Sequence, residues 1–182
     1  LFVVDNATGA SIRGVGSQIM VFDIHPDRIE TGSPVIAVLG QPDVHTKTVG
    51  LARNHVSRAR SVAVDDAGQR LFVGDSSNNR VLVFDIRPEN FKTGMDADIV
   101  LGQKNFTSKE SGLASDKFRS PGSVVYDAKN KRLFVVDSGN ARILVFDAGP
   151  EALRTGASAI DVMGQPDFTS NRRRPGLDQF ST

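Results

Sequence analysis

The sequence predicts an all-β fold built from one repeated unit. The segment Leu-Phe-Val-Gly-Asp at 71–75 returns as Leu-Phe-Val-Val-Asp at 133–137. The segment Val-Leu-Gly-Gln at 38–41 returns at 100–103 and, as Val-Met-Gly-Gln, at 162–165. All of these elements keep a step of 62 residues. Self-similarity at a fixed period of this kind is typical of repeat arrays, in which neighbouring units stack and share a core.

Each complete unit contains four short apolar runs that are separated by turn residues. In the second unit the runs cover 61–65, 71–75, 81–85 and 98–102. Several runs are apolar at consecutive positions, which indicates strands covered on both faces. Four strands per unit, covered by neighbouring units, predict a β-propeller with three four-stranded blades. The blades correspond to units at approximately 1–58, 59–120 and 121–182.

The connections between the strands carry turn chemistry and little helix signal. Segments 65–70 and 75–80 are rich in Asp, Asn, Ser and Gly, which is typical of tight hairpins. A Pro-x-x-x-x-Thr-Gly element recurs once per unit, and in the second unit it predicts a short helical turn over about 88–93. Because no other segment has this punctuation, we expect no helix longer than about two turns.

The second hairpin of each unit carries the most specific pattern. Arg-Leu-Phe-Val-x-Asp-Ser-x-Asn-x-Arg-[Val/Ile]-Leu-Val-Phe-Asp occurs at 70–85 and again at 132–147. This pattern resembles the NHL repeat of six-bladed β-propellers, and the resemblance extends over nearly the whole chain. It implies that the three blades form half of a six-bladed ring. It leaves the function open, because such propellers include protein-binding platforms, RNA-binding platforms and enzymes.

The first unit departs from the repeat in two ways. Leu1 aligns with Leu133, so this unit lacks its first strand, and an insertion of eight residues lies between Asp5 and Asp23. A segment of three blades exposes an apolar face at each end, which promotes association. Two explanations stay open: the chain is an excerpt of a longer propeller, or two copies close one ring as a homodimer. We therefore predict that the chain alone is not a stable monomer.

Composition removes several classes of protein without selecting a partner. The 182 residues are 39% hydrophobic and 24% charged, which is ordinary for a globular protein. The formal net charge is +1, so no overall field attracts nucleic acid or anionic lipid. The chain has no cysteine, which excludes disulfides and thiol chemistry. Apolar runs of four or five residues are too short for a membrane helix, and nothing in the composition indicates a localisation.

The repeat separates structural residues from functional candidates. Asp75, Asn78 and Arg80 recur 62 residues later, and Asp or Asn at such turns usually bonds the local backbone. One calcium site per blade would be redundant, so we interpret these residues as scaffold. The recurring Gly-Gln pairs are interpreted in the same way.

Residues that break the repeat predict a site at the crossover into the second blade. His55, Arg58 and Arg60 stand where the next unit has Lys, Ser and Gly. In a propeller this crossover lies at the mouth of the central channel, where ligands usually bind. An imidazole there can ligate a metal or transfer protons. The predicted catalytic group consists of His55, Arg58, Arg60 and Arg119, with the 9–17 insertion around it.

Within this group His55 is the predicted metal ligand, for a divalent ion such as zinc or calcium. The alternative is that a single exposed histidine beside two arginines is an ordinary surface residue. His25 and His45 are expected to have no specific role, since His25 lies towards the other rim. The Arg-Arg-Arg run at 172–174 has no interleaved aromatic residues for base stacking, so a solvated loop is expected and nucleic acid is not.

Two functions from different classes remain. The resemblance implies a metal-dependent hydrolase of lactone or phosphotriester type, since similar six-bladed propellers include lactonases, phosphotriester hydrolases and an amidating lyase with histidine-bound zinc. In that case nearby arginines would favour an anionic small-molecule substrate at the channel mouth. The alternative is a non-catalytic scaffold that binds protein, glycan or RNA. No nucleophile elbow, phosphate-binding glycine loop or EF-hand loop is present in the sequence.

Overall fold

Three antiparallel sheets make up the computed structural model, which describes residues 1–6 and 16–172. Blade 1 consists of β1 (Phe2–Asp5), β2 (Gln18–Phe22) and β3 (Val35–Leu39). Blade 2 consists of β4 (Ala59–Asp65), β5 (Arg70–Asp75), β6 (Arg80–Asp85) and β7 (Ile99–Leu101). Blade 3 consists of β8 (Pro121–Asp127), β9 (Arg132–Asp137), β10 (Arg142–Asp147) and β11 (Asp161–Met163).

The predicted propeller of three blades is confirmed, and its first sheet lacks one strand, as the alignment of Leu1 with Leu133 predicts. Strands follow one another in chain order within every sheet, as they do in a propeller blade. Blades 2 and 3 have four strands each, whereas the described part of blade 1 has three and not four. The reason is that Leu1 occupies the position of Leu133, at the start of a second strand.

The connections agree with the sequence pattern. Segment 88–93 begins with a single hydrogen-bonded turn, in which the Asn90 and Phe91 amides both donate to the Arg87 carbonyl, over 2.9 and 3.0 Å. Within the described residues the helices are two 3-10 turns, Ser76–Asn78 and Ser138–Asn140. No helix in these ranges is long and apolar enough to span a membrane.

Two apolar cores lie between the blades, one on each face of blade 2. Leu71, Leu82 and Phe84 belong to the core shared with blade 1. Phe72 and Val81 belong to the core shared with blade 3. Because adjacent residues of a strand point to opposite faces, a strand between two blades needs apolar residues at consecutive positions. This packing accounts for the apolar runs of the repeat.

The recurring Asp, Asn and Arg side chains form a buried hydrogen-bond network at one end of each complete blade. In blade 2, Arg80 Nε donates to Asp75 Oδ2 over 2.9 Å, and Asn78 Nδ2 donates to the same oxygen over 2.7 Å. Asp75 Oδ1 accepts from the Ser57 amide over 3.0 Å. Both oxygens of Asp75 are therefore satisfied by protein donors, as expected for scaffold and not for a calcium ligand.

Candidate functional site

The chain passes from the outer strand of one blade to the inner strand of the next along one rim of the propeller. We call this rim, with segments 40–58 and 102–120 and the 3-10 turns, the crossover rim. Arg80 holds it together: Nη2 donates to the His55 carbonyl over 2.8 Å, and Nη1 donates to the Leu51 and Phe106 carbonyls, both over 2.9 Å. The buried Arg80 guanidinium thus stabilises the backbone of the crossover rim.

The recurring glutamines fix the loops that begin each crossover. Each side-chain amide donates to a backbone carbonyl seven residues further on, over 2.9 to 3.0 Å; the pairs are Gln41 with Thr48, Gln103 with Glu110 and Gln165 with Arg172. Each glutamine is buried. These contacts agree with the interpretation of the Gly-Gln pairs as scaffold.

His55 lies in the crossover and is half-buried. Its Nδ1 is 2.8 Å from Asn54 Oδ1, and its ring packs so closely on Gly50 that a Cβ added at that glycine would lie 2.9 Å from the ring. In the next unit Lys117 fills the same position, and its carbonyl accepts from Arg142 Nη2 over 2.9 Å. The backbone at this position therefore has a structural role in both units, whichever side chain it carries.

Arg58 lies beside the turn between β5 and β6, and Arg119 lies beside the turn between β9 and β10, where its carbonyl accepts from the Gly139 amide over 2.8 Å. At the start of the first turn, the Ser76 amide donates to the Arg58 carbonyl over 3.0 Å. At the end of the first turn, Asn79 Oδ1 accepts from the amide of Ser120, the neighbour of Arg119, over 2.8 Å. Both arginines are exposed, as is Ser77 in the middle of the first turn. Two exposed cations beside neighbouring turns favour an anionic group on this rim.

Arg60 is the third exposed arginine of the crossover rim. It is the second residue of β4, the inner strand of blade 2, and it replaces a buried glycine of blade 3, Gly122. No hydrogen bond or ion pair joins His55 to Arg58, Arg60 or Arg119. The structure thus places the predicted residues on one rim without a hydrogen bond between the imidazole and the guanidinium groups.

Most residues of the 9–17 insertion and of the 172–174 run lie outside the described residues. Of the 9–17 insertion the structure describes Gly16 and Ser17; the Gly16 amide donates to the Lys47 carbonyl over 2.8 Å, and the Ser17 amide donates to the Val56 carbonyl over 3.0 Å. These contacts put the end of the insertion on the crossover rim. Of the 172–174 run Arg172 alone is described, and its amide donates to Gln165 Oε1 over 3.1 Å.

The two rims of blade 2 differ in the charge of their connections. Segment 102–120 of the crossover rim carries four basic and two acidic residues. Segment 85–98 of the opposite rim carries two basic and four acidic residues. His25, also on the opposite rim, faces Asp27, with 3.6 Å between Nδ1 and Oδ2. An anionic ligand is therefore favoured on the crossover rim and disfavoured on the other.

The residues around His55 do not make a divalent-metal site by themselves. Zinc needs three or more protein ligands, and calcium needs six or more oxygen ligands. Within the described ranges no group of three or more His, Asp or Glu side chains could hold an ion. One imidazole per chain is insufficient, so a metal at His55 stays a prediction that requires ligands from elsewhere.

A cleft between blades 2 and 3 opens on the opposite rim, where the sequence predicts a hairpin and no site. Its volume is about 490 Å³, and Arg70, Ile99, Tyr126 and Leu153 contribute to its walls. Arg70 pairs with the buried Asp65 over 2.5 Å and also donates to the Ala148 carbonyl over 2.7 Å. Because these polar groups are already paired, the cleft offers mainly apolar contact.

Comparison with known proteins agrees with the repeat and adds little about the chemistry. The family model of the NHL repeat matches residues 57–84 and 118–146. No curated protein matches the chain. Among solved structures, a Bacteroides uniformis protein provisionally assigned as a 6-phosphogluconolactonase shares 15% identity, with a TM-score of 0.46. The match covers 84% of this chain and 40% of that one, so this chain spans less than half the length of that relative.

Proposed function

Because this chain is an NHL-repeat β-propeller segment, we propose that it is a binding module whose crossover rim recognises an anionic ligand. The observation that carries the proposal is that Arg58 and Arg119 are exposed beside neighbouring turns of the crossover rim and form no ion pair with a described residue. Arg60 extends the same cationic surface at the end of the inner strand. A non-catalytic binding module is one of the two functions that the sequence predicts.

Most other arginines of the described chain are neutralised within the protein. Seven of them form ion pairs with Asp; they are Arg28, Arg53, Arg70, Arg80, Arg87, Arg132 and Arg142. Arg58, Arg60 and Arg119 form none with described residues. Guanidinium groups match the geometry of phosphate and carboxylate, with two parallel hydrogen bonds each. Three unpaired guanidinium groups on one rim thus favour a ligand with a phosphoryl or carboxylate group.

Anion binding requires less of the site than metal-assisted catalysis does. Within the described ranges no group of three or more His, Asp or Glu side chains could hold a metal ion. Binding of an anion needs no metal ligands, since the attraction is electrostatic and the ligand is not changed. Metal-assisted ester hydrolysis stays a prediction of the resemblance, and metal analysis tests it separately.

The test is titration of the purified chain with pyrophosphate and, separately, with citrate, followed by calorimetry and by NMR. We expect Arg58→Gln and Arg119→Gln each to weaken binding by about tenfold, as for the loss of a charge-assisted hydrogen bond. The matched control is Arg154→Gln, which changes an exposed, unpaired arginine on the opposite rim. Comparing pyrophosphate with citrate identifies the preferred anion. Equal binding by all three variants and the parent chain would overturn the proposal.

A further inference from the structure

The cleft between blades 2 and 3 has the size and the walls of a small-molecule site. Its volume of about 490 Å³ lies within the range of about 300–1,000 Å³ that is usual for ligand pockets. Ile99 of β7 contributes to one wall, and Tyr126, Pro150 and Leu153 contribute to the other. Both walls belong to four-stranded blades. The cleft is therefore bounded by residues of these two blades.

Tyr126 supplies an aromatic surface to the cleft and is held in place by its neighbours. Its ring lies 5.4 Å from the ring of Phe72, between centroids, with 33° between the two planes. Phe72 is fully buried, and the Arg70 guanidinium carbon lies 5.6 Å from the centroid of the same ring. The Tyr126 side chain is half-buried. One part of the phenol is thus fixed by the core, and the rest is available to a ligand.

The charged residues of the cleft wall leave one cation without a partner. Arg70 and the buried Asp65 both line the cleft, but they form an ion pair with each other over 2.5 Å. Lys131 also lines it, is exposed, and forms no ion pair with a described residue. Burial, and next the negative charge of Asp65, raise the pKa of the Tyr126 hydroxyl above its ordinary value, so Tyr126 is neutral at physiological pH. The wall therefore carries a net positive charge.

Tyr126 and Lys131 both depart from the repeat. Blade 2 has Val64 and Gln69 at the equivalent positions, and Tyr126 is the only tyrosine of the chain. Lys131 and Gln69 share a left-handed backbone conformation, with φ of +52° and +50°. The repeat thus keeps the backbone of this hairpin and changes its side chains. Residues that recur are interpreted as scaffold, whereas these two give one cleft an aromatic surface and a free cation.

We propose that this cleft binds a small carboxylate that has an apolar, aromatic body. The carboxylate pairs with the Lys131 ammonium, and the body lies against Tyr126 and Leu153. Burial of the apolar body supplies most of the affinity, and the ion pair selects the acid over uncharged analogues. None of the acidic residues of segment 85–98 lines the cleft, so the unpaired charge nearest to the ligand is that of Lys131. This site is separate from the crossover rim and does not depend on the function proposed there.

The test is titration of the chain with naphthalene-2-carboxylate and, separately, with the uncharged naphthalene-2-carboxamide. The chain has no tryptophan and one tyrosine, so quenching of tyrosine fluorescence reports binding in the cleft. We expect the carboxylate to bind about three- to fivefold more tightly than the carboxamide, as for one exposed ion pair. Lys131→Gln, which introduces the residue that blade 2 has at this position, should remove the difference. The matched control is Lys129→Gln, which changes an exposed lysine of the same hairpin outside the cleft wall and should retain it.

A second substitution tests the cleft itself. Ala128 is an exposed residue of its wall, so Ala128→Phe should narrow the cleft and weaken both probes by about tenfold, with no loss of unfolding temperature. Anion binding on the crossover rim gives a separate readout: Lys131→Gln should leave pyrophosphate affinity unchanged, and Arg58→Gln should leave both naphthalene probes unchanged.

Three results would overturn the inference. The first is that neither probe quenches the tyrosine fluorescence of the parent chain. The second is that the carboxylate and the carboxamide bind equally to the parent chain, or that Lys131→Gln and Lys129→Gln have the same effect. The third is binding that Ala128→Phe does not weaken, since the probes would then lie outside the cleft.

Discussion

Arg80 Nε lies 2.9 Å from Asp75 Oδ2, and neither side chain is exposed to solvent. The guanidinium also donates to carbonyls of two successive crossovers, at Leu51 and Phe106. Arg142 and Asp137 repeat this arrangement, with 2.7 Å between Nε and Oδ2. A charge in the interior is tolerated when it is paired and its remaining donors are bonded. Here the same cation positions the loops on which the candidate binding site lies.

We predict that Arg80→Met destabilises the fold by about 3–5 kcal/mol, because it leaves the Asp75 carboxylate buried without its partner. The measurement is urea denaturation followed by circular dichroism. The control is Arg28→Met, which removes an exposed ion pair with Asp23 and should leave the midpoint nearly unchanged. Equal midpoints for the two variants would contradict the scaffold role of Arg80.

We predict that Gly102→Ala costs more stability than Gly32→Ala. Both glycines have φ above +80°, which costs an alanine about 1–2 kcal/mol. At Gly102 the added Cβ would lie 2.1 Å from Cδ2 of Phe118, a fully buried ring, so overpacking adds about 1–3 kcal/mol. Urea denaturation at a protein concentration low enough to prevent self-association provides the comparison. Equal losses would show that Phe118 moves aside easily.

We predict that His55→Ala lowers stability little, and the same variant tests whether His55 is a metal ligand. The Arg80 bond is made to the His55 backbone, which alanine retains. Elemental analysis of the purified chain before and after chelation measures the metal, and ester hydrolysis is assayed alongside. His25→Ala is the control. If one zinc per chain is present and is lost with His55→Ala but not with His25→Ala, the result supports the metal-dependent hydrolase and not the binding module.

We predict that part of the fold's stability is lost at acid pH through Asp85. Hydrogen bonds from Arg87, and further from Asn90, hold the pKa of this carboxyl well below its ordinary value. A carboxyl whose pKa is lower in the folded state stabilises the fold above its unfolded pKa of about 3.9. That contribution is lost as pH falls through the folded pKa. Urea midpoints from pH 6 to pH 2 should therefore fall less steeply in Asp85→Asn than in the parent chain.

The sequence by itself determined the blades and their scaffold. The period of 62 residues, the four apolar runs and the Asp, Asn and Arg pattern at 75–80 all predicted features that the structure contains. These features depend on interactions between residues close together in the chain, as in the hairpin pairing of Asp75 with Arg80. Local turn chemistry and short apolar runs encode such contacts, and the repeat presents each of them more than once.

The tertiary structure alone decided how residues of different blades meet. The Val38 amide and the Thr93 hydroxyl are 55 residues apart in sequence, and nothing in either segment indicates that they bond. The placement of Arg58 beside the turn of blade 2 and of Arg119 beside the turn of blade 3 also depends on the path of the crossovers. Such contacts are set by how whole blades stack, because packing between sheets positions these segments in space and local sequence does not.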